Sequence, residues 1–109
     1  MHSRRFPRFS IDRPLNAVIY WEDHPIRKLT GRGRMIGQGG LLASLADQLY
    51  VGEIVKLEMS PIPPVYATVR NTRGTEHGFE FLFSRDGQRS AVQALCAACA
   101  EEHRSEKAG

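Results

Sequence analysis

Five of the chain's ten glycines fall within twelve consecutive positions, Gly31-Arg32-Gly33-Arg34-Met35-Ile36-Gly37-Gln38-Gly39-Gly40-Leu41-Leu42. Glycine at this density is used where the backbone takes a positive φ or approaches a neighbour more closely than a Cβ permits. A corner or β-bulge between two strands is one expectation. Two arginines interleave with the glycines, and bare amides beside guanidinium groups also make an anion cradle, since both present N–H donors and positive potential. The stretch is no P-loop, because no Gly-Lys-Ser/Thr occurs. Nor is it G-x-G-x-x-G, since the sixth position counted from Gly31 is Ile36. On this stretch alone, bulge and cradle both stand.

The flanking sequence reads in short β segments. Residues 15–21 are rich in β-branched and aromatic side chains and form a first strand. Glu22-Asp23-His24-Pro25 is a turn, residues 26–35 a second strand, residues 41–45 a third, and residues 46–52 a loop. Residues 54–59 alternate, with Val55, Leu57 and Met59 inward. Ser60-Pro61-Ile62-Pro63-Pro64 is a rigid connection whose prolines exclude a ladder. Residues 65–71 and 77–83 pair across a turn at Gly74, facing Val65, Ala67 and Val69 inward on one strand and Phe79, Phe81 and Phe83 on the other. After Asp86, a good N-cap, the period changes: Ala91, Val92, Leu95, Cys96, Cys99 and Ala100 recur at helical spacing. Six strands and one helix predict an all-β chain with a C-terminal helix, closed as a six-stranded antiparallel barrel.

A chain of 109 residues is one domain, with 41% hydrophobic and 25% charged residues, the balance of an ordinary globular protein. No apolar run is long enough to cross a bilayer, and Met1-His2-Ser3-Arg4-Arg5 leads into charge instead of a signal-peptide core, so the protein is expected in the cytoplasm without membrane insertion. The net charge of +3 is unevenly placed. Residues 1–34 carry eight Lys/Arg against three Asp/Glu, and the remainder carries seven against nine. A local basic region suits a compact anionic partner, or is a solvated face. It begins with Arg4-Arg5-Phe6-Pro7-Arg8-Phe9, an extended or turning segment in which Phe6 and Phe9 anchor and the arginines fan outward.

An enzyme reading has no constellation to rest on. His2, His24, His77 and His103 are expected in tails or turns, without triad spacing, and the adjacent Glu22 and Asp23 point apart. Cys96 and Cys99 form C-x-x-C, with His103 a turn further on, but they sit deep in a helix, away from the N-terminus that lowers a thiol pKa, and no second cysteine pair completes a zinc site. Packing by small apolar thiols is the simpler use. No metal, cofactor or catalytic residue is assigned.

Taken in order, Arg4-x-x-x-Arg8, a strand, a strand ending at a Gly-Gly corner before Leu41, a Val51-Gly52 step into an alternating strand, and Gly78-Phe79-Glu80-Phe81 before a helix resemble the PilZ domain over residues 4–100. That resemblance implies a bacterial six-stranded β-barrel with a C-terminal helix. Residues 1–13 become a flexible arginine-bearing segment, residues 14–84 the barrel and residues 86–103 the helix. The ligand it implies is cyclic di-GMP, bound through R-x-x-x-R on the N-terminal segment and D/N-x-S-x-x-G on the barrel. Arg4, Arg5 and Arg8 carry the first motif, with Arg4 and Arg8 clamping phosphates and guanine edges. The second aligns with Met35, Gly37, Gln38 and Gly40, in a degenerate form: Met35 stands at the carboxylate or amide position, Gly37 at the serine, and only Gly40 is kept. The function implied is a non-enzymatic signalling adaptor that passes the cyclic di-GMP level to an unidentified protein partner. The alternative is a PilZ-like interaction module that does not bind the dinucleotide. A small basic barrel for single-stranded nucleic acid ranks last, because the aromatics are read as facing inward.

Overall fold

In the computed structural model, which describes residues 7–108 and the side chains of residues 7–102, six strands close a barrel. They are β1 (Phe9–Trp21), β2 (His24–Ile36), β3 (Gly40–Leu45), β4 (Ile54–Met59), β5 (Ile62–Arg73) and β6 (Glu76–Leu82), followed by helix α1 (Asp86–Ala108). Around the barrel the order is β1-β2-β3-β6-β5-β4, with every neighbouring pair antiparallel, as the alternating patterns predicted. β1 meets β4 through Asn16–Glu58, Ala17–Leu57 and Val18–Lys56, and this short ladder closes the sheet.

The inward positions match the two-residue period. Val55, Leu57 and Met59 of β4, Val65, Ala67 and Val69 of β5, and Phe79 and Phe81 of β6 are buried, while Phe83 is only partly covered. Each fully buried aliphatic or aromatic side chain contributes about 1.5–3 kcal/mol of transfer free energy. On α1, Val92, Leu95 and Cys96 are buried against this core. Gln88 ties the helix start to the barrel: Nε2 donates to the Pro64 carbonyl at 2.9 Å, and Oε1 accepts from the Ser84 and Arg85 amides at 2.8 and 3.2 Å. This fold-back contact satisfies the amides of the two residues just ahead of the helix.

Several boundaries differ from the sequence reading. β1 begins at Phe9, so residues 9–13 are strand and not a flexible segment. The first turn is tighter than expected: Glu22 and Asp23 alone make it, at φ of 47° and 66°, and Trp21 pairs with His24. Two positive φ values in a two-residue loop give the twist that flanking strands require, at a cost for non-glycine residues. β5 begins at Ile62, which pairs with Met59 across a register shift before Leu57–Val65. Pro63 and Pro64 fall inside that irregularity, where no ladder amide is required of them. The Ser60–Pro61 peptide is cis.

Of the glycines at residues 31–40, none has positive φ; Gly52 and Gly74 do. What the stretch supplies is close approach. A Cβ at Gly31 would overlap the Ser44 carbonyl, and one at Gly40 the Phe79 carbonyl. A register shift between Gly33 and Met35 against β3 is the expected bulge.

Candidate functional site

Alternation along β3 and β6 sends Leu41, Ala43, Phe79 and Phe81 inward and leaves Gly40, Leu42, Gly78 and Glu80 on the outer face. Gly40 pairs with Glu80, and Leu42 with Gly78. Two of these four outward positions therefore have no side chain. The result is an open hollow of about 490 Å³ between the β2–β3 turn and the β5–β6 ladder.

Arg8, Met35, Gly37, Gln38 and Gly40 all line this hollow. Arg4 and Arg5 lie outside the described residues. The segment leading into β1 crosses the turn at Gly37, where a Cβ would stand 3.4 Å from the Pro7 carbonyl oxygen and 3.5 Å from Arg8 Cγ. Backbone bonding makes the turn less available than a bare cradle. The Gly37 amide donates to the Gly40 carbonyl at 3.0 Å, and the Gly39 carbonyl accepts from the Phe81 amide at 3.0 Å. The Gly37 amide and the Gly39 carbonyl are thus already committed, and side chains bring further polar groups to the hollow.

Three polar side chains that the sequence did not single out complete the wall: Arg70 and Asn71 from β5 and Glu80 from β6. A register shift between Val69 and Asn71 bulges β5 at Arg70, and such a bulge re-aims side chains at a site. Arg70 Nε donates to Glu80 Oε1 at 2.5 Å, and Arg70 Nη2 reaches the same oxygen. The Asn71 side chain lies over Gly78, in space a Cβ there would occupy. Alternation alone gives no signal for this grouping, because the bulge breaks the period where it matters.

The arginines of the glycine stretch go elsewhere. Arg32 Nε donates to Asp12 Oδ1 at 2.5 Å, and Arg34 reaches the same oxygen at 3.5 Å and Ser44 Oγ at 3.5 Å. The Arg32 bond holds the Asp12 carboxyl below its usual value. An anion cradle made of Arg32, Arg34 and the neighbouring glycine amides is thus not what this fold builds. Several of the glycines line the hollow, and among the described residues the cations that line it are Arg8 and Arg70.

Elsewhere the side chains have structural occupations. His77 is not in a turn: it is fully buried on β6, its Nε2 accepting from the Leu49 amide at 2.9 Å and its Nδ1 2.7 Å from the Thr75 carbonyl. Nδ1 is then the protonated nitrogen of a neutral ring. His24 opens β2; His2 and the His103 side chain lie outside the described residues. Cys96 is buried and Cys99 half-buried, both unpaired, and burial pushes both thiols up. Among the described residues no cluster of three or more His, Cys, Asp or Glu could hold a metal ion, and no helix is long and apolar enough to cross a membrane. The aromatics do not all face inward: Trp21, Tyr50 and Tyr66 are exposed, and Lys56 Nζ lies 5.9 Å from the Tyr66 ring centre.

Comparison with known proteins places this geometry. The sequence model of the PilZ domain matches residues 2–98. No curated protein sequence matches the chain. Among solved structures, the PilZ domain with c-di-GMP of YcgR from Escherichia coli superposes with a TM-score of 0.76 at 15% identity, over 97% of this chain and 98% of that one. The PilZ domain of CeSA from a cellulose-synthesizing bacterium gives 0.63 at 17%, over 82% and 93%. YcgR of Escherichia coli in complex with c-di-GMP gives 0.70 at 21%, over 95% of this chain and 49% of that one.

Proposed function

This chain belongs to the PilZ domain family, and on that footing we propose that it is a cyclic di-GMP-binding signalling module, cytoplasmic and non-enzymatic, that passes ligand occupancy to a protein partner. One observation carries the reading: Arg8 comes to the same hollow as Met35, Gly37, Gln38 and Gly40, although Met35 lies 27 positions further along the chain. Two of the similar structures, both of YcgR, are described with c-di-GMP. In the proposed mode Arg8, with Arg4 and Arg5 ahead of it, meets the phosphodiesters, for which the guanidinium fork is suited. The N-terminal segment closes over the ligand across Gly37, and the surface offered to a partner changes with it.

A second reading, an interaction module that binds no dinucleotide, is favoured by Met35 and Gly37. A carboxylate contact contributes about 1.5–3 kcal/mol and a hydroxyl about 1, so lacking both costs on the order of a hundredfold in affinity. Calorimetric titration of cyclic di-GMP into the purified protein, repeated with Arg8→Ala, decides between the two. Saturable micromolar binding lost on substitution supports the receptor; no heat at millimolar ligand leaves the interaction module.

A further inference from the structure

We propose that Glu80, held by Arg70, is the acceptor that selects a guanine-type base in the hollow, taking over on β6 the role for which Met35 on β2 has no polar atom. The inference rests on the receptor reading above and names the residue that gives that site its base specificity.

Glu80 is the carboxylate that lines the hollow. It stands on the outer face of β6 directly opposite Gly40, which lines the same hollow. Both bonds from Arg70 fall on Oε1, one at 2.5 Å from Nε and one from Nη2. Among the described residues Oε2 carries no bond, so one oxygen is anchored and the other is free to accept. Fixing an acceptor before the ligand arrives removes an ordering cost from binding. The pairing also answers the electrostatic objection to a carboxylate beside phosphodiesters. Arg70 offsets the charge of Glu80, and Arg8 remains as a second positive group lining the hollow.

The base follows from the donor pattern. The Watson–Crick edge of guanine presents N1–H and the N2 amino group side by side, two donors that converge on the one free acceptor oxygen, Oε2. Adenine presents an unprotonated N1 next to its amino group, which sets a lone pair against the carboxylate and leaves an acceptor unsatisfied. A site built on an acceptor therefore rejects adenine by repulsion as well as by a lost bond. Asn71, over Gly78 on the same wall, can donate through its amide to a base oxygen.

The test compares the affinities of cyclic di-GMP and cyclic di-AMP for the wild type, Glu80→Gln and Arg8→Ala by calorimetry. The wild type is expected to prefer the guanine ligand by about a hundredfold. Glu80→Gln presents a donor and an acceptor and so accommodates either base, and the preference is expected to fall to less than about tenfold. Arg8→Ala is expected to weaken both ligands alike and keep their ratio. Glu80 and Arg70 are solvent-exposed, so the variant folds. If Glu80→Gln keeps the wild-type ratio while Arg8→Ala weakens both ligands, the role of Glu80 is overturned and the receptor reading survives. Wild-type protein that binds neither dinucleotide overturns both.

Discussion

Gly40 on β3, which has no side chain, and Glu80 on β6 are cross-strand partners, and both line the hollow. The missing side chain lets the Phe79 carbonyl approach the β3 backbone. The close approach of the two strands thus depends on one atom that is missing. Gly40→Ala drives a Cβ into that carbonyl and is expected to destabilise by about 1–3 kcal/mol, the usual cost of overpacking. Gly39→Ala, with nothing within 4 Å and no positive φ, is expected to be neutral or stabilising by up to about 1 kcal/mol. Urea unfolding midpoints of the two variants check the contrast.

Gly37 and Met35 give a gain-of-affinity prediction. A Cβ at Gly37 meets only ordinary contacts at 3.4 and 3.5 Å, so Gly37→Ser is accommodated beside Arg8. Under the receptor reading, Met35→Asp with Gly37→Ser restores one carboxylate and one hydroxyl. Because Glu80 already supplies an acceptor in the proposed site, the gain is expected to come mainly from the hydroxyl, about fivefold in cyclic di-GMP affinity, read by calorimetry against the wild type. An unchanged affinity would count against the alignment of these two positions with the binding wall.

The β1–β2 turn stores backbone strain that can be relieved. Glu22 and Asp23 both sit at positive φ in a two-residue loop, where Asn-Gly is the favoured pair. Glu22→Asn with Asp23→Gly is expected to stabilise by about 1–2 kcal/mol. Differential scanning calorimetry reads this as a rise of about 4–8 °C per kcal/mol for a chain of this size.

His77 supports the loop between β3 and β4. Removing the ring by His77→Ala leaves the buried Leu49 amide without its acceptor and opens a cavity beside Phe79, whose ring centre is 6.0 Å from that of His77. The expected loss is about 2–4 kcal/mol from the orphaned donor and the lost packing together. Amide exchange at Leu49 is expected to accelerate in the variant, which separates a loop defect from a general loss of stability.

Asp12 gives a pH dependence with a definite sign. Its pKa is depressed in the folded state by the Arg32 hydrogen bond, from an ordinary value of 3.8. A depressed carboxylate contributes stability that is present above the unfolded value and lost as pH falls through the folded one. Acid unfolding as pH falls below the ordinary carboxylate value of 3.8 is therefore expected to be shallower in Asp12→Asn, and high salt to shrink the difference because the pair is exposed. Denaturant midpoints along that pH series make the measurement.

Much of this protein was legible in the chain, for a local reason. Side-chain alternation is a two-residue property, so Val55, Leu57, Met59, Val65, Ala67 and Val69 could be assigned inward without knowing their partners, and helical spacing identified Val92, Leu95 and Cys96 in the same way. The order of motifs then named the barrel and brought Arg8 together with Met35, Gly37, Gln38 and Gly40. The fate of Arg32 and Arg34 was decided only by tertiary structure, because a free carboxylate at Asp12 lies within reach only once β1 pairs with β2. So was the reason for the glycines: close approach is a property of two strands, and neither Ser44 nor Phe79 can be read from Gly31 or Gly40 alone. The same holds for Glu80, which acquires Arg70 through a bulge in β5 and faces Gly40 on a strand 40 positions away. Local periodicity sets which face a residue takes; long-range register decides what it meets there.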